Sequence, residues 1–202
     1  GSRVTKDEGR GIVEVFKRAV CGARVVSFSG TVSDSSIAWL YSELIPIAKD
    51  AGAITILDSH GPEFAQGIAC IPYMVKPNVT ELQELVGFAI ENNADQLRAI
   101  NAVHTRSVKL VVLSLGKNGA IVSRGDERFH VVPPAIQEVN AVGSGDALVA
   151  GFAIGLMEGQ ALQEMARTAC AMGTANAMSW DIGYFTSEEV EQIRERVTVI
   201  PL

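Results

Sequence analysis

The chain is poor in cysteine, histidine, aromatic rings and positive charge. Cys21, Cys70 and Cys170 stand far apart and are odd in number. They offer neither a disulfide framework nor a zinc-ligand spacing, and they fit a reducing, cytoplasmic setting. All three are expected as small buried hydrophobes. His60, His104 and His130 share no metal-ligand spacing. His104 is expected solvated at the end of a polar helix, and His130 on the surface of a hairpin. Lys and Arg number 17 against 23 Asp and Glu, a net charge of −6. Nucleic acid demands a basic footprint, so it is not an expected partner. The longest run of apolar residues and glycine is Ala147 to Met157, too short to cross a bilayer. No basic segment followed by an apolar one opens the sequence, so no secretory signal is expected there. Familiar signatures are missing too. Gly116-Lys117-Asn118 lacks the hydroxyl and the upstream glycine of a Walker A loop. Leu148 stands where a dinucleotide fingerprint needs its third glycine, and no G-x-S-x-G or H-E-x-x-H occurs.

What is present is a globular composition, 48% apolar and 20% charged over 202 residues. One domain over residues 1–202 is expected, with Gly1-Ser2 set aside as a cloning scar. Thr5 and Glu8 have capping-box spacing ahead of Ile12, Val13, Phe16 and Val20, which predicts a first helix with those four on one face. Strand and helix then alternate. Strands are predicted at 24–29, 53–57, 73–75 and 109–114, and a hairpin at 120–123 and 128–132 around Gly125-Asp126. Helices are predicted at 33–50 with an Asp/Ser cap and Ile37, Leu40, Leu44 and Ile47 inward, then after Gly61 and at 80–86, 94–104, 147–157, 162–178 and 187–197. Pro46 is placed to kink its helix. Such alternation implies an α/β fold, a mostly parallel sheet covered by helices on both faces, with the hairpin as an antiparallel addition near an edge. Ligands of such sheets bind beyond the C-terminal strand ends.

Three segments leaving strands carry candidate chemistry. Gly143-Ser144-Gly145-Asp146 opens a helix with no further charge until Glu158. Glycines let an anion approach the backbone, and the first amides of a helix are unpaired and partly positive. Asp146 would then lie beside a bound phosphate, where a carboxylate can take the proton of an incoming hydroxyl. The other reading is a glycine-rich turn with a capping Asp. In Lys76-Pro77-Asn78-Val79-Thr80-Glu81 a helical turn puts the oxygens of Asn78 and Glu81 on one side. That pair suits a hydrated Mg²⁺, with Lys76 a point charge for phosphate. It equally suits an Asn N-cap closed by Glu at N3. Ser114-Leu115-Gly116-Lys117-Asn118-Gly119 is either a tight turn or a site exposing Ser114 and the Gly116 backbone to a nucleotide.

Taken in order, strand–K-P-N-x-x-E, V-V-x-S-L-G-x-x-G-A, G-x-G-D opening an apolar helix, and the tail Gly173-Thr-Ala-Asn176-Ala-Met178 resemble the ribokinase/PfkB carbohydrate kinases. Asn140-Ala-Val-Gly-Ser-Gly-Asp146 and Val75-Lys-Pro-Asn78 are most like the 1-phosphofructokinase and tagatose-6-phosphate kinase branch. The resemblance implies a ribokinase-like three-layer α/β/α fold and ATP-dependent phosphoryl transfer to a hydroxyl of a sugar or sugar phosphate. It implies Asp146 as catalytic base and the Gly143, Ser144 and Gly145 backbone as anion hole. Asn78 and Glu81 would organise Mg²⁺ through water. Lys76, Ser114 and Gly116 would meet ATP, Asn176 would border its adenine or ribose, and Gly30 and Asp58 would face the substrate. The expected partner is a small sugar or sugar phosphate, with no nucleic acid, no membrane, and a second copy of the chain in a homodimer.

Two departures from the family pattern stand out. Ala141 replaces a common Thr, and Thr31-Val-Ser-Asp34 lacks the prolines usual in that branch. The family's N-terminal strands and lid are expected to be absent from this chain, which would then be its nucleotide-binding part. The alternative function is a non-catalytic nucleotide-binding or regulatory domain on the same fold.

Overall fold

A computed structural model describes residues 4–31 and 35–202. The expected helix cap at Ser33-Asp34, the Thr31–Asp34 departure beyond Thr31 itself, and Gly1-Ser2 lie outside the described residues. The chain divides into two compact units, Gly1–Leu110 and Val111–Leu202.

The first unit runs α1 (Lys6–Ala19), β1 (Val25–Ser29), α2 (Leu40–Asp50), β2 (Ile54–Asp58), α3 (Gly61–Ala69), β3 (Met74–Val75), α4 (Val79–Val86) and α5 (Asn93–His104). β1 and β2 pair in parallel from Val25↔Ile54 to Ser29↔Asp58, and β2 pairs in parallel with β3 at Ile56↔Met74 and Leu57↔Val75. Ile56, Leu57, Met74 and Val75 are fully buried. Strands sealed on both faces read as continuous apolar runs, which is why they were visible in the sequence. Short polar caps start the helices. Thr5/Glu8 and Asn78/Glu81 each form a reciprocal capping box, each satisfying two otherwise orphaned amides.

Several expectations shift. In α1 the buried positions are Gly9 and Val13, and Val20 is buried just after it as the C-cap, whereas Ile12 is exposed. The second predicted helix opens as a 3-10 turn, Ser35–Ile37, before α2. Ile45 and Ala48 are its fully buried residues, and Ile47 is only half-buried. Pro46 sits inside α2 and cannot donate to the Ser42 carbonyl one turn back. The Cys70 thiol donates to that carbonyl instead, at 3.4 Å. Of the cysteines only Cys170 is buried; Cys70 is half-buried and Cys21 is exposed in the turn after α1. Burial pushes the Cys170 thiol up to about 11. His104 is not simply solvated, because its Nδ1 lies 2.9 Å from the Val108 carbonyl where the chain turns after α5.

The second unit takes up β4 (Leu110–Ser114) and continues through β5 (Ala120–Arg124), β6 (Glu127–Val132), α6 (Ser144–Glu158), α7 (Leu162–Met178), α8 (Ser187–Arg194) and β7 (Thr198–Pro201). β4, β5 and β6 pair antiparallel in succession, and β7 returns antiparallel to β6 from Phe129↔Pro201 to Val132↔Thr198. The helix predicted at 187–197 therefore ends early, and the terminal strand was not anticipated. It is four residues long, follows α8 after a brief turn, and ends on Pro201, which weakens any strand signal. No helix among the described residues is long and apolar enough to cross a membrane.

α6 and α7 pack almost backbone to backbone. A Cβ built on Gly151 would fall 2.4 Å from the Ala169 Cα, and one on Gly155 2.2 Å from the Met165 Cγ. Gly11, in α1, has nothing within 4 Å. Alanine is a better helix former than glycine by about 0.8–1 kcal/mol, so the two sites separate propensity from packing. Gly11→Ala is expected to stabilise by about 0.5–1 kcal/mol. Gly151→Ala is expected to destabilise by about 1–3 kcal/mol, since the α7 backbone must move. Urea unfolding of both variants checks this; equal stabilisation by both would contradict the packing.

Candidate functional site

In the first unit the candidates collect at the C-terminal strand ends. The last pair of the β1–β2 ladder brings Ser29 beside Asp58, and the next residue, Gly30, donates its N–H to the Asp58 carbonyl at 2.9 Å. Gly30 turns there with φ +90, open to a glycine and strained for other residues. Lys76 leaves β3 with its side chain mostly buried, and its Nζ lies 3.0 Å from Asp58 Oδ1. Lys76 and Asp58 are thus brought together as an ion pair. A long flexible cation is held in one place, and one of the two residues expected to face ligands anchors the other. Such partly buried pairs stand only when geometry and further hydrogen bonds are good. Local sequence pattern carries no sign of the residues that secure this strand end. The Tyr41 hydroxyl donates to the Ser29 and Gly30 carbonyls at 3.0 and 3.2 Å, and Ser59 Oγ donates to Gly30 O at 2.8 Å. Burial first, then the charges of Glu63 and Asp58, push the Tyr41 phenol above its usual range.

Asn78 and Glu81 do come together, as a cap. Asn78 Oδ1 accepts from the Glu81 N–H, and Glu81 Oε2 accepts from the Asn78 N–H, each at 2.9 Å. The cap occupies one oxygen of each side chain and leaves the second Glu81 oxygen for another contact. That arrangement fits a water-mediated approach to a cation better than direct chelation. Among the described residues no three His, Cys, Asp or Glu side chains cluster as a metal cage.

In the second unit, Ser114 ends β4 opposite Ala120, and Gly116 (φ +58) begins a 3-10 turn, Gly116–Asn118. Leu115 N–H donates to Gly119 O at 2.8 Å, so this segment is a tight turn that also leaves Gly116 exposed. A Cβ on Gly119 would overlap the Val131 carbonyl, which makes glycine obligatory where β6 crosses.

The opening of α6 is the most specialised feature. Gly143, its N-cap, is left-handed at φ +82, and no side chain caps the helix. Ser144 donates its N–H to the Ala141 carbonyl at 3.1 Å. The amides of Gly143, Gly145 and Asp146 have no partner among the described residues. An uncapped helix end with free amides has the donors and the positive end of the dipole that can hold an anion. Asp146 is exposed in the same first turn. Asn176, on α7, comes to this loop but is 1% exposed. Its Nδ2 donates to the Val142 carbonyl at 2.8 Å and to Ser144 Oγ at 3.0 Å, while its Oδ1 accepts from the Gly183 N–H at 2.7 Å.

Comparison with known proteins places the chain among sugar-phosphate kinases. Tagatose-6-phosphate kinase of Staphylococcus epidermidis is 31% identical over 179 residues, 87% of this chain and 58% of that protein. The chain thus spans little more than half the length of such curated relatives. Phosphofructokinase-2 of Escherichia coli, solved in complex with potassium, superposes with a TM-score of 0.87 at 29% identity, covering 97% of this chain and 64% of that one. The same enzyme solved with fructose-6-phosphate gives 0.85 at 26% identity, covering 97% and 63%. The fold is therefore the ribokinase-like α/β fold of these structures. The profile of the pfkB family carbohydrate kinases matches residues 12–179, and the chain belongs to that family.

Proposed function

We propose that this chain carries the phosphoryl-transfer machinery of an ATP-dependent kinase acting on a hydroxyl of a sugar or sugar phosphate. The observation that carries the reading is Asp146 in the first turn of a helix left uncapped, beside the amides of Gly143 and Gly145, which have no partner among the described residues. Binding a nucleotide alone would require the amides but not a carboxylate next to them. The acceptors named for the relatives, tagatose 6-phosphate and fructose-6-phosphate, set the acceptor class to test first.

In this reading the transferred phosphoryl group rests on the α6 amides, which stabilise the charge spread over its oxygens. Asp146 accepts the proton of the acceptor hydroxyl as that oxygen bonds to phosphorus and the bond to the ADP oxygen breaks. Because nothing reorganises when the amides meet the charge, the field is already in place before the reaction. Lys76 supplies a positive charge toward nucleotide phosphate, fixed in position by Asp58. Ser114 and the Gly116 backbone border the nucleotide. Asn78 and Glu81 would hold a Mg²⁺ ion, which when bound would further neutralise phosphate charge.

Asp146→Asn, in the full-length native protein, is expected to lower turnover by about 10²- to 10⁴-fold while leaving nucleotide affinity nearly unchanged. Coupled ADP-release kinetics and calorimetric titration read the two quantities; near-normal turnover removes the base role. Glu81→Gln is expected to raise the Mg²⁺ concentration needed for half-maximal rate. The neutral amide can still accept from the Asn78 N–H, so the cap survives the change. An unmoved Mg²⁺ dependence leaves Glu81 as a cap alone.

A further inference from the structure

Asn176 has no polar atom to offer a ligand in this structure. Both its side-chain N and its side-chain O are engaged inside the protein, and the residue is 1% exposed. Those contacts join three segments of the second unit: α7, which carries Asn176; Val142–Ser144, just where α6 opens; and Gly183, in the loop after α7. Asn140 strengthens the same junction. Its Nδ2 donates to the Trp180 carbonyl and its Oδ1 accepts from the Val142 N–H, both at 3.1 Å. The N–H groups of Val139 and Asn140 also donate to the Ala177 carbonyl, at 2.8 and 3.1 Å. The loop is close on its apolar side as well, because a Cβ on Gly143 would lie 2.4 Å from Ile182 Cγ2.

We infer that Asn176 is a positioning residue for phosphoryl transfer. It holds Val142 O and Ser144 Oγ so that Gly143 keeps its left-handed turn and the Gly143, Gly145 and Asp146 amides stay aimed at one point. The inference rests on the kinase reading above and replaces the expectation that Asn176 borders adenine or ribose. The Asn176 amide is the feature that matters. Only an NH₂ group can donate to a carbonyl and a hydroxyl together while the same side chain accepts a backbone N–H. A carboxylate of equal size would set an oxygen against the Val142 carbonyl. A buried polar network of this kind tolerates no half-satisfied member.

The test is Asn176→Asp in the full-length native protein, with steady-state kinetics on Mg-ATP and fructose 6-phosphate and hydrogen exchange on the ligand-free protein. Misplacing a preorganised donor set typically costs about 10- to 100-fold in rate. The expected result is a kcat lower by that factor, with KM for ATP changed by less than about threefold, and faster exchange of the amides at 142–147. Leu162→Ala, a core truncation at the start of α7, serves as the control for destabilisation alone. It is expected to lower the unfolding temperature and to leave kcat unchanged. Three outcomes overturn the proposal: wild-type kcat in Asn176→Asp, a rise in KM for ATP at unchanged kcat, or a loss of kcat equalled by Leu162→Ala. Should the wild-type protein itself fail to turn over, the kinase reading fails separately. Exchange at 142–147 then still decides the tether, unchanged exchange overturning it and accelerated exchange supporting it.

Discussion

The close approach of α6 and α7 is the constraint on which the site depends. Gly151 lets the α6 backbone meet that of α7 at Ala169, and Gly155 makes room for the Met165 side chain. Large side chains at the crossing would push α6 away. With it would go the Gly143–Asp146 turn, which is the continuation of the same helix. Gly173 shows the contact reaching the site itself, since a Cβ there would lie 3.0 Å from the Ser144 carbonyl. A packed core transmits such displacements because its interior has no slack to absorb them.

The two units carry different kinds of chemistry. In the second, the positive character at the opening of α6 comes from oriented backbone amides, which need no counter-charge and no side-chain ordering. In the first, the positive group is Lys76, a full charge on a flexible stem, and Asp58 fixes it. Neighbouring polar contacts from Tyr41 and Ser59 secure the β1 end beside Asp58. One arrangement supplies donors of fixed direction, the other a charge of fixed place.

The sequence revealed what is written in local pattern. β2, β3 and β4 were legible as apolar runs, since burial on both faces leaves no polar alternation to confuse them. The Thr5/Glu8 box was legible from spacing. For Asn78/Glu81 the spacing showed a pair on one side of a turn, and the structure shows that the pair is a cap. Contacts between residues far apart in the chain were not legible. Nothing near Asp58 foretold Lys76, and nothing near Tyr41 foretold the Gly30 carbonyl. Asn176 was found as part of a motif, but its burial among Val142, Ser144 and Gly183 is a tertiary fact. Ile12 was misplaced because an apolar residue beside a helical stripe satisfies the pattern without touching the core. β7 was missed because four residues pairing with a distant strand carry little signal of their own.

In the proposed function, phosphate leaves ATP and arrives on a sugar-phosphate hydroxyl. Phosphorus NMR of the full-length native protein with Mg-ATP and either tagatose 6-phosphate or fructose 6-phosphate follows both ends of that transfer in one sample. The expected result is a γ-phosphate resonance that declines as ADP and a new sugar phosphomonoester resonance grow in equal amounts. Persistence of ATP, or its conversion to ADP and inorganic phosphate with no new sugar resonance on either acceptor, would contradict it.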